Sequence, residues 1–479
     1  MDVNPGNFRA LEVDLGLFNL RVDGSPVWER IRFKVWREIT EQTGRGQAHT
    51  AIEKDISDYL KGGYLFAKNL LMKNPFRADA ADVMYLGHPR RKKEPDGYWW
   101  DIYCDPIHEN CDYDYVHFES DYLLEHLLPA KTENLRYLDL IYYGSTIQRL
   151  LGASGPAIPT SVDDRLSEAE AEIQTRFDVD VDLHSLVRSQ LDHRRTKLWL
   201  YKRLLHRVDP EIVVLVVSYG EHDVIEACKH EGIPVVELQH GVIYRNHFGY
   251  SFPEDASIEL FPDYLLVWGN YWKTRAQLPI PEDRVSIVGF PYLEQQKQNY
   301  AGVSSKEQIL FISQGTIGEQ LSRLAYEVNE HPAIDHDVVY KLHPGEYDRW
   351  QKEYPWLIDA NLEIVDSSDP PLYELFAKSS AQIGVGSTAV YEGLCFNLET
   401  YVYDCPGSSV LESLVNEGAA ELVSSVDQLA SSIGTGEGTF NREYYFEPNA
   451  TENTCQALQW LVREGSCQEM ENLADNGEP

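Results

Sequence analysis

Two polar clusters, each placed directly after an apolar run, contain the residue types best suited to binding a phosphate. The first cluster ends the segment 338–345 (Val-Val-Tyr-Lys-Leu-His-Pro-Gly), and the second lies within 382–392 (Gln-Ile-Gly-Val-Gly-Ser-Thr-Ala-Val-Tyr-Glu). In each, a strand pattern gives way to a turn or a helix pattern. Ligands of open α/β sheets bind outside the carboxyl ends of strands. Both clusters therefore predict contacts to a phosphorylated ligand.

The second cluster offers hydroxyl groups at the start of a predicted helix. Ser387 and Thr388 follow Gly386, and backbone N–H groups at such a start favour an anion. N-capping is the alternative role of these hydroxyls. Glu392 lies four residues after Thr388, whereas a capping box places its acid three residues after the cap. This spacing suits a contact to ribose hydroxyls, with an exposed acid in the first turn as the alternative.

The first cluster offers an imidazole and an ammonium group. His343 precedes Pro344 and Gly345, so the chain turns where its side chain projects. A phosphate contact is one role for this imidazole, and a structural role is the other. Lys341 lies two residues earlier on the same side of an extended strand and would add positive charge.

Candidate general bases occur in two segments nearer the N-terminus. Residues 219–223 (Tyr-Gly-Glu-His-Asp) end one strand pattern, and residues 239–242 (Gln-His-Gly-Val) end the next. Glu221, Asp223 and His240 can each accept a proton from a substrate hydroxyl. N-capping is the alternative role of Asp223.

The order of the predicted elements changes near residue 208. A long helical pattern covers about 182–207, and strands alternate with helices beyond it. This alternation predicts parallel, doubly wound α/β sheets, with a linker in the polar stretch 294–308. The predicted strands are 213–217, 235–239, 264–267, 285–288, 309–312, 338–341, 362–365, 381–385 and 400–403.

The composition restricts the classes of function. The chain has 77 acidic and 42 basic residues, a formal charge of −35, which makes nucleic acid an unsuitable partner. Apolar residues at 43% and aromatic residues at 11% argue for folded domains rather than disorder. Such an acidic surface is expected of a protein from a high-salt cytosol.

Cysteine usage and hydropathy predict a cytoplasmic protein. The seven cysteines are scattered and odd in number, which predicts a reducing compartment and no disulfide framework. The N-terminus lacks the pattern of a signal peptide, and no apolar run approaches the ~18 residues of a membrane span. We therefore expect a protein that is neither secreted nor transmembrane.

Three of these motifs, in this order, resemble those of a known superfamily. They are Leu238-Gln-His240-Gly241, Lys341-Leu-His343-Pro344, and Gly386-Ser387-Thr388 with Glu392. They are similar to motifs of the surface-polysaccharide transferases, which include capsule polysaccharide biosynthesis proteins, polysialyltransferases and the CDP-glycerol glycerophosphotransferases of teichoic acid assembly. The resemblance covers roughly residues 210 to 410.

The resemblance implies an α/β fold of the GT-B-like type, with two Rossmann-like domains facing a cleft and an N-terminal extension of mixed α/β character. It implies donor phosphate contacts from His343, Ser387 and Thr388, a ribose contact from Glu392, and no metal or other cofactor. His240 matches the His-Gly motif and is a candidate base. The superfamily's acidic motif, two carboxylates before a glycine, is not reproduced, because Gly220 precedes Glu221. The identity of the base therefore stays open among Glu221, Asp223 and His240.

Four regions follow from the patterns and the resemblance together. Residues 1–207 form an N-terminal acceptor-side region with a long helix, and 208–300 form the Rossmann-like part of the acceptor domain. Residues 301–445 form the Rossmann-like nucleotide-donor domain, and 446–479 form a C-terminal helix with an acidic tail.

The predicted activity is transfer of a sugar from a nucleotide donor to a glycan or lipid-linked acceptor, with inversion. The alternatives are a CDP-glycerol-type phosphotransferase, a sugar-nucleotide epimerase, and a nucleotide-binding pseudoenzyme of a polysaccharide assembly complex.

Three other features are assigned to ordinary structure. The acidic triplets at 112–114 and 178–182 are expected in so acidic a chain and are interpreted as surface. Cys104, His108 and Cys111 lack a fourth ligand at metal-site spacing. The basic run 90–93 before Tyr98-Trp-Trp suits peripheral docking on an anionic membrane, but an exposed turn leading into a strand is favoured.

Overall fold

The structure is a computed structural model and describes residues 4–44, 56–152, 154–434 and 440–475. The chain forms two compact units. The first contains the described residues up to Thr43, those from Ile56 to Tyr292, and those from Glu447 onward; the second contains Leu293–Phe446.

The elements are as follows. The helices are α1 (Pro5–Asp14), α2 (Val27–Gln42), α3 (Ile56–Leu71), α4 (Asp105–His108), α5 (Asp139–Leu150), α6 (Thr160–Phe177), α7 (Leu183–Val208), α8 (His222–Glu231), α9 (Asn270–Lys273), α10 (Pro291–Asn299), α11 (Gly318–Asn329), α12 (Trp350–Glu353), α13 (Leu372–Lys378), α14 (Thr388–Leu394), α15 (Glu412–Asn416), α16 (Val426–Ser432) and α17 (Ala450–Asp475). The strands are β1 (Arg21–Val22), β2 (Ser25–Pro26), β3 (Val83–Leu86), β4 (Lys92–Lys93), β5 (Trp99–Trp100), β6 (Tyr115–Glu119), β7 (Leu135–Tyr137), β8 (Ile212–Val216), β9 (Val235–Leu238), β10 (Tyr264–Val267), β11 (Val285–Ile287), β12 (Gln308–Ile312), β13 (Asp337–Lys341), β14 (Glu363–Val365), β15 (Ala381–Gly384), β16 (Glu399–Tyr403) and β17 (Glu421–Val423).

The first unit is built on a parallel sheet of strand order β11-β10-β9-β8-β3-β6-β7. Its central strands β3 and β8 are buried along their whole length, as expected of a parallel sheet covered on both faces. Met84 packs on one face with Leu204 of α7, and Tyr85 packs on the other with Leu458 of α17. Successive side chains therefore serve two separate layers of the core.

Strand order reverses between β3 and β8, because the chain first builds outward through β6 and β7 and then returns to build the other half. This is the doubly wound order of a Rossmann-like sheet, and ligands of such sheets bind at the reversal.

The structure corrects the predicted N-terminal extension. β3, β6 and β7 lie before residue 208, yet they pair into the same sheet as β8 to β11. The predicted C-terminal tail also belongs to this unit, since Leu458 of α17 packs in its core. Long polar insertions separate β3, β6 and β7, so their strand pattern lacks the regular alternation seen beyond residue 208.

The second unit repeats the topology. Its parallel sheet has the strand order β14-β13-β12-β15-β16-β17, which reverses between β12 and β15. Phe311 and Tyr340 pack with Leu321 and Leu324 of α11 in its core. The prediction of an α/β fold with two Rossmann-like domains is confirmed by the two sheets. The predicted linker 294–308 is in part helical, because α10 extends to Asn299.

The cysteine prediction is wrong at one pair. Cys111 and Cys455 form a disulfide across 344 residues of sequence, and it joins the loop after α4 to α17 within the first unit. Cys104, Cys228, Cys395 and Cys405 carry free thiols. Among the described residues, no helix combines the length and the hydropathy needed to cross a membrane.

Candidate functional site

The second cluster of the sequence lies at the strand reversal of the second unit. Gly386 follows β15, and Gln314 follows the neighbouring strand β12. The backbone N–H of Gly386 donates to Gln314 Oε1 at 2.9 Å, so the two strand ends are fixed to each other. A side chain at Gly386 would lie 3.0 Å from the carbonyl oxygen of Gly407, which explains a glycine here. The sequence motifs did not identify Gln314 as part of this site, although its position just after the apolar strand β12 is visible in the sequence.

Ser387 is an N-cap in this structure. Its Oγ accepts a hydrogen bond from the Ala389 N–H at 3.2 Å at the start of the seven-residue helix α14. Thr388 is the first residue of that helix and is half-buried. Capping and ligand binding are compatible, because a hydroxyl that accepts from the backbone still has a proton to donate.

Glu392 lies on the same helix as Thr388 and is held by a neighbour. Tyr373 of α13 donates its hydroxyl proton to Glu392 Oε2 at 2.6 Å, which orients the carboxylate. Glu392 is half-buried.

His343 is oriented by its own turn at the end of β13. Its Nδ1 accepts from the Gly345 N–H at 3.1 Å, and Glu346 Oε2 accepts from the His343 N–H at 2.7 Å. In the neutral imidazole, Nε2 therefore carries the proton and is the nitrogen suited to a phosphate oxygen. Glu346 is fully buried and also accepts from Ser313 and Tyr354, so the turn has a rigid base.

Lys341 has structural partners. Its buried ammonium donates to Tyr347 Oη at 2.8 Å and to the backbone carbonyl of Ser367. It thereby ties β13 to the chain beyond β14.

In the first unit, His240 follows β9 and is hydrogen-bonded at both ring nitrogens. Tyr250 donates its proton to buried Glu237 at 2.6 Å, so its oxygen accepts from His240 Nδ1 at 3.1 Å. His240 Nε2 then accepts from the Tyr219 hydroxyl at 3.2 Å. Burial lowers the pKa of His240 to about 3, with His247 and His88 adding to the effect. The imidazole is neutral and its lone pair is occupied.

Glu221, unlike His240, lines a cavity of about 660 Å³ within the same unit. Tyr142 of α5 donates to its two carboxylate oxygens at 3.0 and 3.2 Å. Burial raises the pKa of Glu221 to about 7, although Lys197 and Tyr142 act to lower it. A carboxylate with this pKa is suited to accept a proton near neutral pH.

The cavity lies beside the strand reversal of the first sheet. Ser120 and Asp121 follow β6, while Gly220 and Glu221 follow β8, and β3 separates these two strands. Its lining residues are Asp58, Lys61, Ser120, Asp121, Leu123, Leu124, Tyr142, Tyr143, Ser145, Thr146, His193, Lys197, Gly220 and Glu221.

Asp223 is neither an N-cap nor an available base. It is the second residue of α8, which Glu221 precedes as the cap residue. Its carboxylate pairs with Arg30 at 2.8 Å and with Lys197 at 3.5 Å. Burial acts to raise its pKa, but Lys197 and Arg30 outweigh burial and hold the pKa below its ordinary value.

The cysteine and histidine cluster of the sequence is divided. Cys111 is in the disulfide, while half-buried His108 bonds buried His117 at 3.1 Å between ring nitrogens. Ligand atoms of Asp101, Cys104 and His117 lie within 4.8 Å of one another, and these residues could hold a metal ion.

The basic run 90–93 is partly neutralised within the first unit. Arg91 is buried between Glu119 at 2.7 Å and Asp105 at 3.3 Å. Lys92 donates to Tyr292 Oη at 2.8 Å and lies in the β4–β5 hairpin opposite Trp100. The run is therefore not an exposed turn, because Arg91 is buried and Lys92–Lys93 is itself a strand of the hairpin.

Comparison with known proteins finds similarity only among solved structures. No protein family and no curated protein matches the sequence. The UDP-GlcNAc 2-epimerase of Methanocaldococcus jannaschii has a TM-score of 0.48 and 12% identity, over 79% of this chain and 99% of that chain. The Neisseria meningitidis UDP-GlcNAc 2-epimerase bound to UDP-GlcNAc has a TM-score of 0.46 and 13% identity, over 80% and 99%. MurG of Acinetobacter baumannii has a TM-score of 0.46 and 11% identity, over 79% and 99%.

Proposed function

We propose that this protein is a glycosyltransferase of surface polysaccharide or glycan assembly that takes its sugar from a nucleotide donor. The observation that carries the proposal is the cavity of the first unit, where Glu221 has a pKa of about 7 at the strand reversal. A transferase needs a base for its acceptor in addition to a donor site. The two units offer one candidate site each.

The donor nucleotide is assigned to the second unit. Gly386, Ser387 and Thr388 lie at its strand reversal, and His343 ends the strand next to β12. A donor imidazole N–H and two hydroxyls suit the oxygens of a diphosphate. Glu392, oriented by Tyr373, suits a ribose hydroxyl pair.

The acceptor is assigned to the cavity of the first unit, with Glu221 as the base. His240 is the weaker candidate, because Tyr219 occupies its lone pair and its pKa is about 3. Glu221 has a proton affinity matched to neutral pH, and Tyr142 holds its carboxylate in place.

The reaction is a single displacement at the anomeric carbon. Glu221 takes the proton of the acceptor hydroxyl as the new carbon–oxygen bond forms, and the bond from that carbon to the donor phosphate breaks. The nucleoside diphosphate leaves with the electron pair, and His343 and the hydroxyls of residues 387 and 388 stabilise its charge. Attack opposite the leaving group inverts the anomeric configuration.

The test is a thermal-shift panel of CMP, CDP, UDP, GDP and their sugars, measured in molar salt. A ligand that binds the folded state raises the melting temperature by mass action. We expect one nucleotide series to raise it, and a panel in which none does would contradict the proposal.

Product analysis then separates the alternatives. A donor consumed only when a glycan or lipid-linked acceptor is added supports the transferase. Conversion of the nucleotide-sugar without acceptor identifies an epimerase instead, and a response to CDP-glycerol alone identifies a phosphotransferase. Binding without turnover under all these conditions identifies a pseudoenzyme.

A further inference from the structure

Helix α3 of the first unit has two apolar faces. One faces the core through Gly62, Leu65 and Asn69, which are buried. The opposite face carries Leu60 and Leu71, whose exposed fractions are 70% and 78%, with Tyr64 between them at 64%. Residues 60, 64 and 71 form one stripe, because they are separated by four and seven positions. A surface helix normally presents polar residues there.

The end of α5 extends this apolar surface. Asn69 Oδ1 accepts from the Leu140 N–H at 3.1 Å, and Gly62 lies against the ring of Tyr143. Asn69, late in α3, meets Leu140, and Gly62, earlier in α3, meets Tyr143, so the two helices are antiparallel. The last turn of α5 therefore points toward the first turns of α3. Leu151, at the end of α5, is 83% exposed. The α3 surface is defined here as Tyr59, Leu60, Tyr64, Leu70, Leu71, Leu150 and Leu151.

The charges beside the stripe are positive. Lys61 and Lys68 lie along one side of it, and Lys68 lies 5.9 Å from the centre of the Tyr64 ring. Asp58, the single acid between Ile56 and Leu71, is half-buried. This is a marked local departure in a chain with 77 acidic residues. Exposed leucines, tyrosines and flanking lysines are the composition of helices that lie in the interface of an anionic membrane.

We propose that the α3 surface docks on an anionic lipid bilayer and brings a lipid-linked acceptor to the cavity of Glu221. Asp58 and Lys61 of α3 line that cavity, so the surface and the cavity share a rim. The docking itself is independent of the proposed function, while the delivery of acceptor rests on it. A bilayer, unlike a protein partner, requires no shape complementarity from the exposed stripe.

The net charge of −35 opposes binding to an anionic surface, so the lysines must act locally. The screening length is about 8 Å at physiological salt and about 3 Å in molar salt, so distant carboxylates contribute little and the lysines act only close to the membrane surface. A lysine near the membrane surface adds local attraction, and insertion of the leucines adds a contribution that salt does not screen.

The experiment is cosedimentation of the full chain with phosphatidylcholine vesicles, with and without phosphatidylglycerol. We expect binding to the anionic vesicles and weaker binding to the neutral ones. Leu60→Glu with Leu71→Glu should lower the bound fraction about tenfold, because it places charge in the stripe. The matched control is Val13→Glu with Ile358→Glu, which adds the same charge at apolar residues that are 61% and 54% exposed.

A second variant, Lys61→Gln with Lys68→Gln, keeps the stripe apolar and should remove the preference for anionic vesicles. Circular dichroism and nucleotide-induced thermal shifts check that each variant is folded. The proposal would be overturned if the wild-type protein did not bind anionic vesicles. It would also be overturned if the stripe variant and the control variant bound equally. A dimer, seen by sedimentation equilibrium without vesicles, that Leu60→Glu with Leu71→Glu dissociates would overturn it too. Nucleotide binding without vesicle binding would contradict the membrane proposal alone. Vesicle binding without nucleotide binding would contradict the proposed function alone.

Discussion

The two Rossmann-like units have the same strand reversal but different chemistry at it. In the first unit, Glu221 and His240 are desolvated, and their pKa values move to about 7 and about 3. In the second unit, His343 and Ser387, which are half-buried like Glu221 and His240, accept hydrogen bonds from nearby backbone N–H groups. The first arrangement suits proton transfer, and the second suits the recognition of an anion. One topology thus supports two roles, which the surrounding side chains determine.

The largest expected effect comes from replacing the proposed base. Glu221→Gln keeps the size of the side chain and its hydrogen bond from Tyr142 but cannot take a proton. We expect the transfer rate to fall by about 10²–10⁴-fold with nucleotide affinity unchanged. The measurement is the initial rate of nucleoside diphosphate release with the acceptor that supports turnover.

The pH dependence of the transfer rate tests the same role of Glu221. A base with a pKa of about 7 is protonated in acid, so the wild-type rate should rise as pH increases through 7. Glu254→Gln, a change at an exposed carboxylate of the same unit, is the control. A Glu221→Gln variant that retains the wild-type rate and acid limb would rule out Glu221 as the base.

The second expected effect is on the donor site. His343→Ala and Glu392→Ala should each weaken nucleotide binding by about tenfold or more, since each removes a hydrogen bond to a charged or polar ligand group. Isothermal titration with the nucleotide selected by the thermal-shift panel measures the affinity. His331→Ala in the same unit is the control, because His331 pairs with the exposed Asp427. Unchanged affinity in both site variants would remove this assignment.

Most strands of the second unit are predictable from the sequence, because short runs of neighbouring residues specify them. The predicted strands 309–312, 338–341 and 400–403 agree with β12, β13 and β16 to within one residue at each end. Each is an apolar run bounded by a turn or a helix signal, so no distant contact is needed to recognise it. The same holds for the turn at His343, which Pro344 and Gly345 specify.

The site of the first unit could not be predicted in the same way. Burial raises the pKa of Glu221, while Tyr142, which lies 79 residues earlier, and Lys197 act to lower it. Gln314 likewise meets Gly386 only because β12 and β15 are neighbours in the sheet. The disulfide of Cys111 and Cys455 depends on the packing of α17 against the sheet of the first unit. Contacts of this kind follow from topology, which residue spacing does not reveal.

A third effect should appear in the stability of the first unit. Tyr250→Phe leaves buried Glu237 without its hydroxyl donor and frees one nitrogen of His240. Loss of a partner from a buried polar group costs about 1–3 kcal/mol, so the free energy of unfolding should fall by that amount. Chemical denaturation measures it, with Tyr326→Phe at an exposed tyrosine as the control. Equal stability of the two variants would mean that this network does not hold His240 in place.

The smallest effect distinguishes capping from ligand binding in the second unit. Ser387 and Ser425 are both N-caps of seven-residue helices, and their Oγ atoms accept from Ala389 and Gln428. Replacing either serine with alanine should lower the free energy of unfolding by about 1 kcal/mol. Only Ser387→Ala should also weaken nucleotide binding, because only Ser387 lies at the strand reversal. Denaturation and titration of the same two variants separate the roles: equal losses of stability with unchanged affinity in both would leave Ser387 as a cap alone.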